Sequence, residues 1–229
     1  VHEALRNGSV DMYIEYTGTA YVDILGNDPI ADPDLVYTTA KAELKSGWNI
    51  EGLTQFGFNN TYVLAVTADF AAEHSLEKVS DLVAIADILH GGFTYEFLNR
   101  EDGILGLEVE YGFEFNETSA LEGTLRYSAL ENGEVNVVDA FATDSLIQKL
   151  NLVPLEDDLS FFPPYFTFPL IRGEVLEEFP EIAGLMDELA TVLDSDEVMV
   201  SLNYLVDEEQ MEPRTVARNF LIEKGLIQG

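Results

Sequence analysis

Ala4-Leu5-Arg6-Asn7-Gly8-Ser9-Val10 recurs 125 residues later as Ala129-Leu130-Glu131-Asn132-Gly133-Glu134-Val135. In both copies a short apolar run follows. It ends in an aromatic residue, Tyr16 in one copy and Phe141 in the other, and then in a polar turn containing threonine. The pattern predicts a helix closed by a glycine in the left-handed C-cap, then a buried strand. Two such units, each presenting a ring at the carboxyl end of a strand, predict an α/β chain with two facing lobes. Ligands of open α/β sheets sit at those strand ends. Chance likeness between two ordinary helix–strand units is the competing explanation, and the repeat alone leaves it open.

Outward from the repeat, strand-like and helix-like segments alternate along the whole chain, which is the α/β pattern. Residues 62–67, Tyr-Val-Leu-Ala-Val-Thr, form the strongest β run. Residues 10–15, 92–97, 135–140 and 166–171 also read as strands. Helices are predicted over 32–44, opened by Asp32 with Pro33 at the first position, and over 80–89 and 104–111. Two further helices are predicted within 177–193 and 213–224. Pro163 and Pro164 break the chain ahead of the strand-like run 166–171.

The 229 residues, 47% hydrophobic and 11% aromatic, are enough for one large domain or two small lobes. No stretch approaches the roughly 18–20 consecutive apolar residues of a membrane span. The chain starts at Val1, without an initiator methionine and already in a helix-like pattern, and is read as a fragment or processed chain. Net charge is −32, from 43 acidic and 11 basic residues. Such a surface repels phosphate backbones and argues against nucleic-acid binding. A solvated acidic surface suited to high salt is the plain reading of this charge, and steering of a cationic ligand the sharper one. The chain has no cysteine, which excludes disulfides, thiolate metal sites and thiol catalysis.

Several segments offer binding chemistry. Glu15-Tyr16-Thr17-Gly18-Thr19 places a ring, two hydroxyls and backbone N–H groups in one turn, where Gly18 permits close approach; a strand-to-helix turn with Thr19 as N-cap explains it equally. Phe58-Asn59-Asn60-Thr61-Tyr62 precedes the strongest strand. Its paired asparagines suit a turn or hinge, while Asn60 and Tyr62 offer an amide and a ring face. Phe161-Phe162-Pro163-Pro164-Tyr165-Phe166 sets four rings around two prolines, as core or as the wall of a pocket. Arg100, one of six arginines, either pairs with nearby Glu101 or Asp102 or grips a ligand carboxylate with two parallel hydrogen bonds. His2, His74 and His90 lack metal-ligand spacing, and no catalytic, metal or cofactor motif emerges. Catalytic readings are thin: an enzyme acting on a small carboxylate, with Arg100 as anchor, is the alternative to a binding protein and lacks a nucleophile or metal set.

Taken in order, residues 15–19, 58–62, Val138-Asp139-Ala140-Phe141-Ala142-Thr143-Asp144, 155–158 and 162–165 resemble the glycine betaine/choline-binding proteins of osmoprotectant ABC importers. Leu202-Asn203-Tyr204, Val216-Ala217 and Phe220-Leu221 are similar to that family's C-terminal helices. The resemblance implies a type II periplasmic-binding-protein fold: lobe I formed by 1–60 and 162–229, lobe II by 61–161, with a ligand cleft and a hinge. It implies one further βα unit before Val1, so that lobe I is incomplete at its N-terminus. It also implies an aromatic cage of Tyr16, Tyr62, Phe141 and Tyr165 around a quaternary ammonium group, which cannot donate an N–H hydrogen bond and is recognised by cation–π attraction. Phe141 departs from the tyrosine common in the family, and Asn60 from the aspartate of some relatives. Arg100 and Thr19 match positions that hold a betaine carboxylate. The implied partner is an ABC permease, with the protein outside the cytoplasmic membrane and reaching that membrane only through an anchor or the permease. Another zwitterion on the same scaffold, such as an amino acid, remains the rival ligand.

Overall fold

The computed structural model describes residues 1–228. They divide into two compact units, one of residues 1–60 with 164–228 and one of Thr61–Pro163. The chain therefore passes between units at Asn60–Thr61 and again at Pro163–Pro164.

The first unit opens with helix α1 (His2–Arg6), strand β1 (Met12–Tyr16), the short turn α2 (Thr17–Thr19) and a π-helical turn, Ala20–Ile24. Helix α3 (Pro33–Trp48) follows. Its start is set as the sequence predicts: Asp32 accepts the Leu35 N–H at 3.0 Å, and Pro33, whose missing N–H costs nothing there, occupies the first position. Asn49 ends it in the left-handed region at φ +55° and leads into strand β2 (Ile50–Gly52).

The second unit carries β3 (Tyr62–Thr67), α4 (Ala68–His74), a tight 3-10 run (Val79–Ile88), β4 (His90–Phe93), α5 (Tyr95–Asn99), α6 (Ile104–Tyr111) and β5 (Glu117–Ala120). It continues with α7 (Leu125–Glu131), β6 (Val137–Phe141), α8 (Ser145–Lys149) and β7 (Leu152–Pro154). The chain then returns to the first unit for β8 (Thr167–Arg172), α9 (Gly173–Glu178), α10 (Glu181–Ala190), α11 (Asp196–Asp207) and α12 (Pro213–Glu223).

Each unit builds its own sheet and core. In the first, β8 lies between β1 and β2 and is antiparallel to both. Leu5, Ala40, Leu44, Ile50, Phe168 and Leu170 close that core. In the second, the order is β5-β4-β6-β3-β7, with β4 parallel to β5 and β6, and β3 antiparallel to β6 and β7. Its core gathers Ala65, Tyr127, Leu130, Val138 and Ala140.

The internal repeat is a repeat of backbone geometry. Gly8 and Gly133 both sit at positive φ, +78° and +71°. Ser9 N–H reaches the Ala4 carbonyl at 2.9 Å, and Glu134 N–H reaches the Ala129 carbonyl at 2.9 Å. These bonds use helix-terminal carbonyls that would otherwise lack partners, and the left-handed residue that forms them is cheap only as glycine. The strands that follow end on Tyr16 and on Phe141, as the pattern predicts.

Some boundaries differ from the sequence reading, each for a physical reason. The strand expected over 92–97 stops at Phe93, because the Thr94 hydroxyl accepts the Phe97 N–H at 3.2 Å and starts α5. The strand expected over 10–15 runs from Met12 to Tyr16 and is half-exposed rather than buried. The helix expected within 177–193 is α10; the sequence reading missed α9 just ahead of it, which stops before Pro180 because proline cannot supply the N–H that would continue it.

Candidate functional site

In the first unit the candidate residues converge on the end of β1. Tyr16 closes the strand, and its hydroxyl accepts a hydrogen bond from Asn60 Nδ2 at 3.1 Å. Its N–H donates to Glu15 Oε1 at 2.8 Å, while the Tyr13 hydroxyl donates to Glu15 Oε2 at 2.8 Å. Burial holds the Glu15 carboxyl above the usual carboxylate range, against the opposing pull of those two bonds. The buried Thr17 turns the chain by donating its N–H to the Phe166 carbonyl at 2.8 Å and its hydroxyl to the Pro164 carbonyl at 2.9 Å. Gly18 is required by contact: a Cβ there would stand 2.8 Å from the Tyr165 ring and 2.9 Å from the Pro164 carbonyl oxygen. Thr19 ends α2 half-buried.

Tyr165, 3% exposed, is held by its backbone on both sides. Its N–H donates to Asn59 Oδ1 at 2.7 Å, and its carbonyl accepts from the Asn60 N–H at 3.2 Å. Tyr16, Gly18, Asn60 and Tyr165 are thus one local assembly. A separate cavity of about 350 Å³ opens between α11 and α12, with Val198, Leu202, Leu205 and Phe220 among its walls. It contains none of the candidate residues.

In the second unit, Tyr62 opens β3 directly opposite Phe141 at the end of β6. Their ring centroids lie 4.9 Å apart. Phe97 and Phe162 flank Tyr62 at 5.2 and 6.0 Å. Such spacings suit tilted ring pairs, each worth about 0.5–1.5 kcal/mol beyond burial. Burial pushes the Tyr62 phenol well above its ordinary pKa, so it is neutral across the physiological range. The Arg100 guanidinium carbon stands 6.0 Å from the Tyr62 ring centre. Arg100 grips the fully buried Asp102 with two parallel bonds of 2.7 Å from Nε and Nη2, and Nη1 donates to Glu96 at 3.0 Å. The pairing with Asp102 that the sequence offered is formed, and it is a buried fork rather than a surface contact.

The turn after Phe141 rests on a buried polar network that the sequence reading did not assign. Asp139, with no exposed surface, accepts from the Thr94 N–H and hydroxyl, each at 2.9 Å. Arg126 Nε donates to the Asp139 carbonyl at 2.7 Å, and Nη1 to the Gly123 carbonyl at 2.7 Å. The Tyr127 hydroxyl donates to Asp144 Oδ2, which also accepts the Phe141 N–H at 3.2 Å. Burial raises the pKa of Asp139 and Arg126 opposes that rise. Phe97, the fourth ring of this cluster, was read only as the end of a strand.

Comparison with known proteins identifies the family. Residues 1–223 match the family described as the substrate binding domain of ABC-type glycine betaine transport system. The chain belongs to this family. It is 34% identical to the carnitine transport binding protein of Listeria monocytogenes, over 100% of this chain and 74% of that one. It is also 36% identical to the ergothioneine transport permease/ergothioneine binding protein of Helicobacter pylori, across 99% of this chain. There it spans only 40% of the relative's length. Among solved structures, that of a glycine betaine/carnitine/choline ABC transporter superposes with a TM-score of 0.81 at 33% identity, covering 97% of this chain and 82% of that one. The fold is accordingly that of a type II periplasmic binding protein, as the resemblance implied. The relatives of this family are transport binding proteins rather than enzymes. Among the described residues, no helix is long and apolar enough to cross a membrane.

Proposed function

We propose that this protein captures a small trimethylammonium zwitterion and presents it to an ABC permease at the outer side of the cytoplasmic membrane. Glycine betaine and carnitine are the first ligands to test. Family membership across 1–223 supports the class of function. The observation that carries the ligand is that each unit gathers tyrosine or phenylalanine rings beside a strand terminus: Tyr16 at the end of β1 with Tyr165 packed on the Gly18 turn that follows it in one, and Tyr62 opening β3 opposite Phe141 at the end of β6 in the other. The rings of each unit suit an ammonium group in this reading, a good ring contributing roughly 0.5–2 kcal/mol. Asn60, Thr19 and Arg100 serve the carboxylate end. Arg100 does so as a fixed positive charge anchored by Asp102.

A second ligand reading rests on a specific relative. The Helicobacter pylori protein is named for ergothioneine, which also joins a trimethylammonium group to a carboxylate but adds a heterocycle. The same rings suit its cationic end.

Calorimetric titration with glycine betaine, carnitine, choline and ergothioneine tests the proposal and ranks the ligands. A binding ligand also raises the melting temperature by preferring the folded state. Tyr165→Ala is expected to abolish that rise. An undiminished rise in the variant would remove Tyr165 from the site.

A further inference from the structure

A line of hydrogen bonds within the first unit links Asp196, at the first turn of α11, to the candidate rings. Asp196 Oδ1 accepts the Asn59 N–H at 2.7 Å. Asn59 Oδ1 accepts the Tyr165 N–H at 2.7 Å. The Tyr165 carbonyl accepts the Asn60 N–H at 3.2 Å, and Asn60 Nδ2 donates to the Tyr16 hydroxyl at 3.1 Å. Each residue in the line therefore fixes the next through a group whose position is set by the previous one. Asn59 also bridges to Phe166, which ties this line to the segment leading into β8.

The loop that delivers Asp196 is itself held close. Gly57 N–H donates to the Leu193 carbonyl at 2.8 Å, and a Cβ on Gly57 would fall 2.5 Å from the Asp194 carbonyl oxygen. The segment before the crossing thus lies directly on the α10–α11 connection, and only glycine allows that approach. A second tie, from the Thr54 hydroxyl to Asp187 Oδ1 at 2.5 Å, joins the same segment to α10 without entering the line to the rings.

We infer that Asp196, acting through Asn59, is a positioning residue that pre-organises Tyr165, Asn60 and Tyr16 for the ligand. The inference rests on the proposed ligand reading for its functional consequence, but its structural part does not. Asp196 touches no proposed ligand atom. Its carboxylate makes a short bond to a backbone N–H, which is stronger than a neutral bond and leaves less slack in everything attached to it. Fixing the rings before the ligand arrives removes part of the ordering cost of binding.

The test compares Asp196→Ala, which removes the acceptor, with Asp196→Asn, which keeps an acceptor oxygen, and with Thr54→Ala, which cuts the parallel tie alone. Amide hydrogen exchange on the ligand-free protein is read at Asn59, Asn60 and Tyr165. Asp196→Ala is expected to speed all three by about tenfold, the scale of one hydrogen bond, Asp196→Asn to restore them, and Thr54→Ala to leave them unchanged. Glycine betaine titration on the same variants is expected to show about tenfold weaker binding for Asp196→Ala only. Faster exchange at Asn59 alone, or an equal effect from Thr54→Ala, overturns the line of positioning. Faster exchange at all three with unchanged affinity overturns its role in binding. If the unaltered protein binds none of the four ligands, the functional reading fails, and the exchange data still decide whether the line exists.

Discussion

At the scale of single residues, the site pairs neutral rings with carboxylates and guanidinium groups that are already committed to partners. Glu15 shows the consequence most directly. Its carboxyl is half-buried against Tyr13 and Tyr16, and burial raises its pKa above the ordinary value. The folded state therefore holds that proton more tightly than the unfolded chain. The stability Glu15 contributes is fully present below the unfolded pKa and is lost as pH rises through the folded pKa. Glu15→Gln removes this dependence. Thermal unfolding across the acidic range is expected to show the melting temperature of Glu15→Gln gaining on that of the unaltered protein as pH rises. A constant difference between the two would mean that Glu15 titrates as an exposed carboxylate does.

Among the elements, the junction of β1 and α2 is the most constrained part of the first unit. Gly18 there abuts both a ring and a backbone carbonyl. Gly18→Ala forces Tyr165 or the proline segment aside, an overpacking cost of about 1–3 kcal/mol, and is expected to weaken ligand binding with it. Gly47, inside α3 with open space around the position of an added Cβ, is the control. Gly47→Ala is expected to stabilise by up to about 1 kcal/mol and to leave binding unchanged. Chemical denaturation and titration of both variants check the pair. The elements legible in the sequence are those whose signal is local. The run Tyr62–Thr67 is apolar throughout, α3 carries Asp32 and Pro33 at its start, and the repeated glycines close α1 and α7. Strand β5, Glu-Thr-Ser-Ala, is mostly exposed and carries no alternation to read. Tyr16 and Phe141 were legible because they end the strands of the repeat, and Tyr62 and Tyr165 because they stand beside paired asparagines and paired prolines. The supports of the candidate site were not. Arg126 meets Asp139 across 13 positions and Asn59 meets Asp196 across 137, distances at which no periodicity reports a partner.

For the whole molecule, the net charge of −32 dominates. Forty-three carboxylates against eleven cations repel one another in the compact state. Close pairs such as Arg100–Asp102 and Arg172–Glu174 offset part of this repulsion, but eleven cations cannot balance forty-three carboxylates. Salt shortens the range of that repulsion, from about 30 Å at 0.01 M to about 3 Å at 1 M. The melting temperature is expected to rise steadily as sodium chloride increases over this range. Sucrose, which carries no charge, separates screening from general exclusion effects, and an equal rise in sucrose of matched osmolality would contradict the electrostatic account. The central claim is that the candidate rings recognise a positive charge rather than a bulky apolar group. Competition of glycine betaine against 3,3-dimethylbutanoate, its uncharged-head isostere of nearly the same shape, tests this most directly. The account predicts saturable glycine betaine binding that the isostere displaces at least about tenfold more weakly, given roughly 0.5–2 kcal/mol per ring. Equal displacement by the two compounds would contradict it.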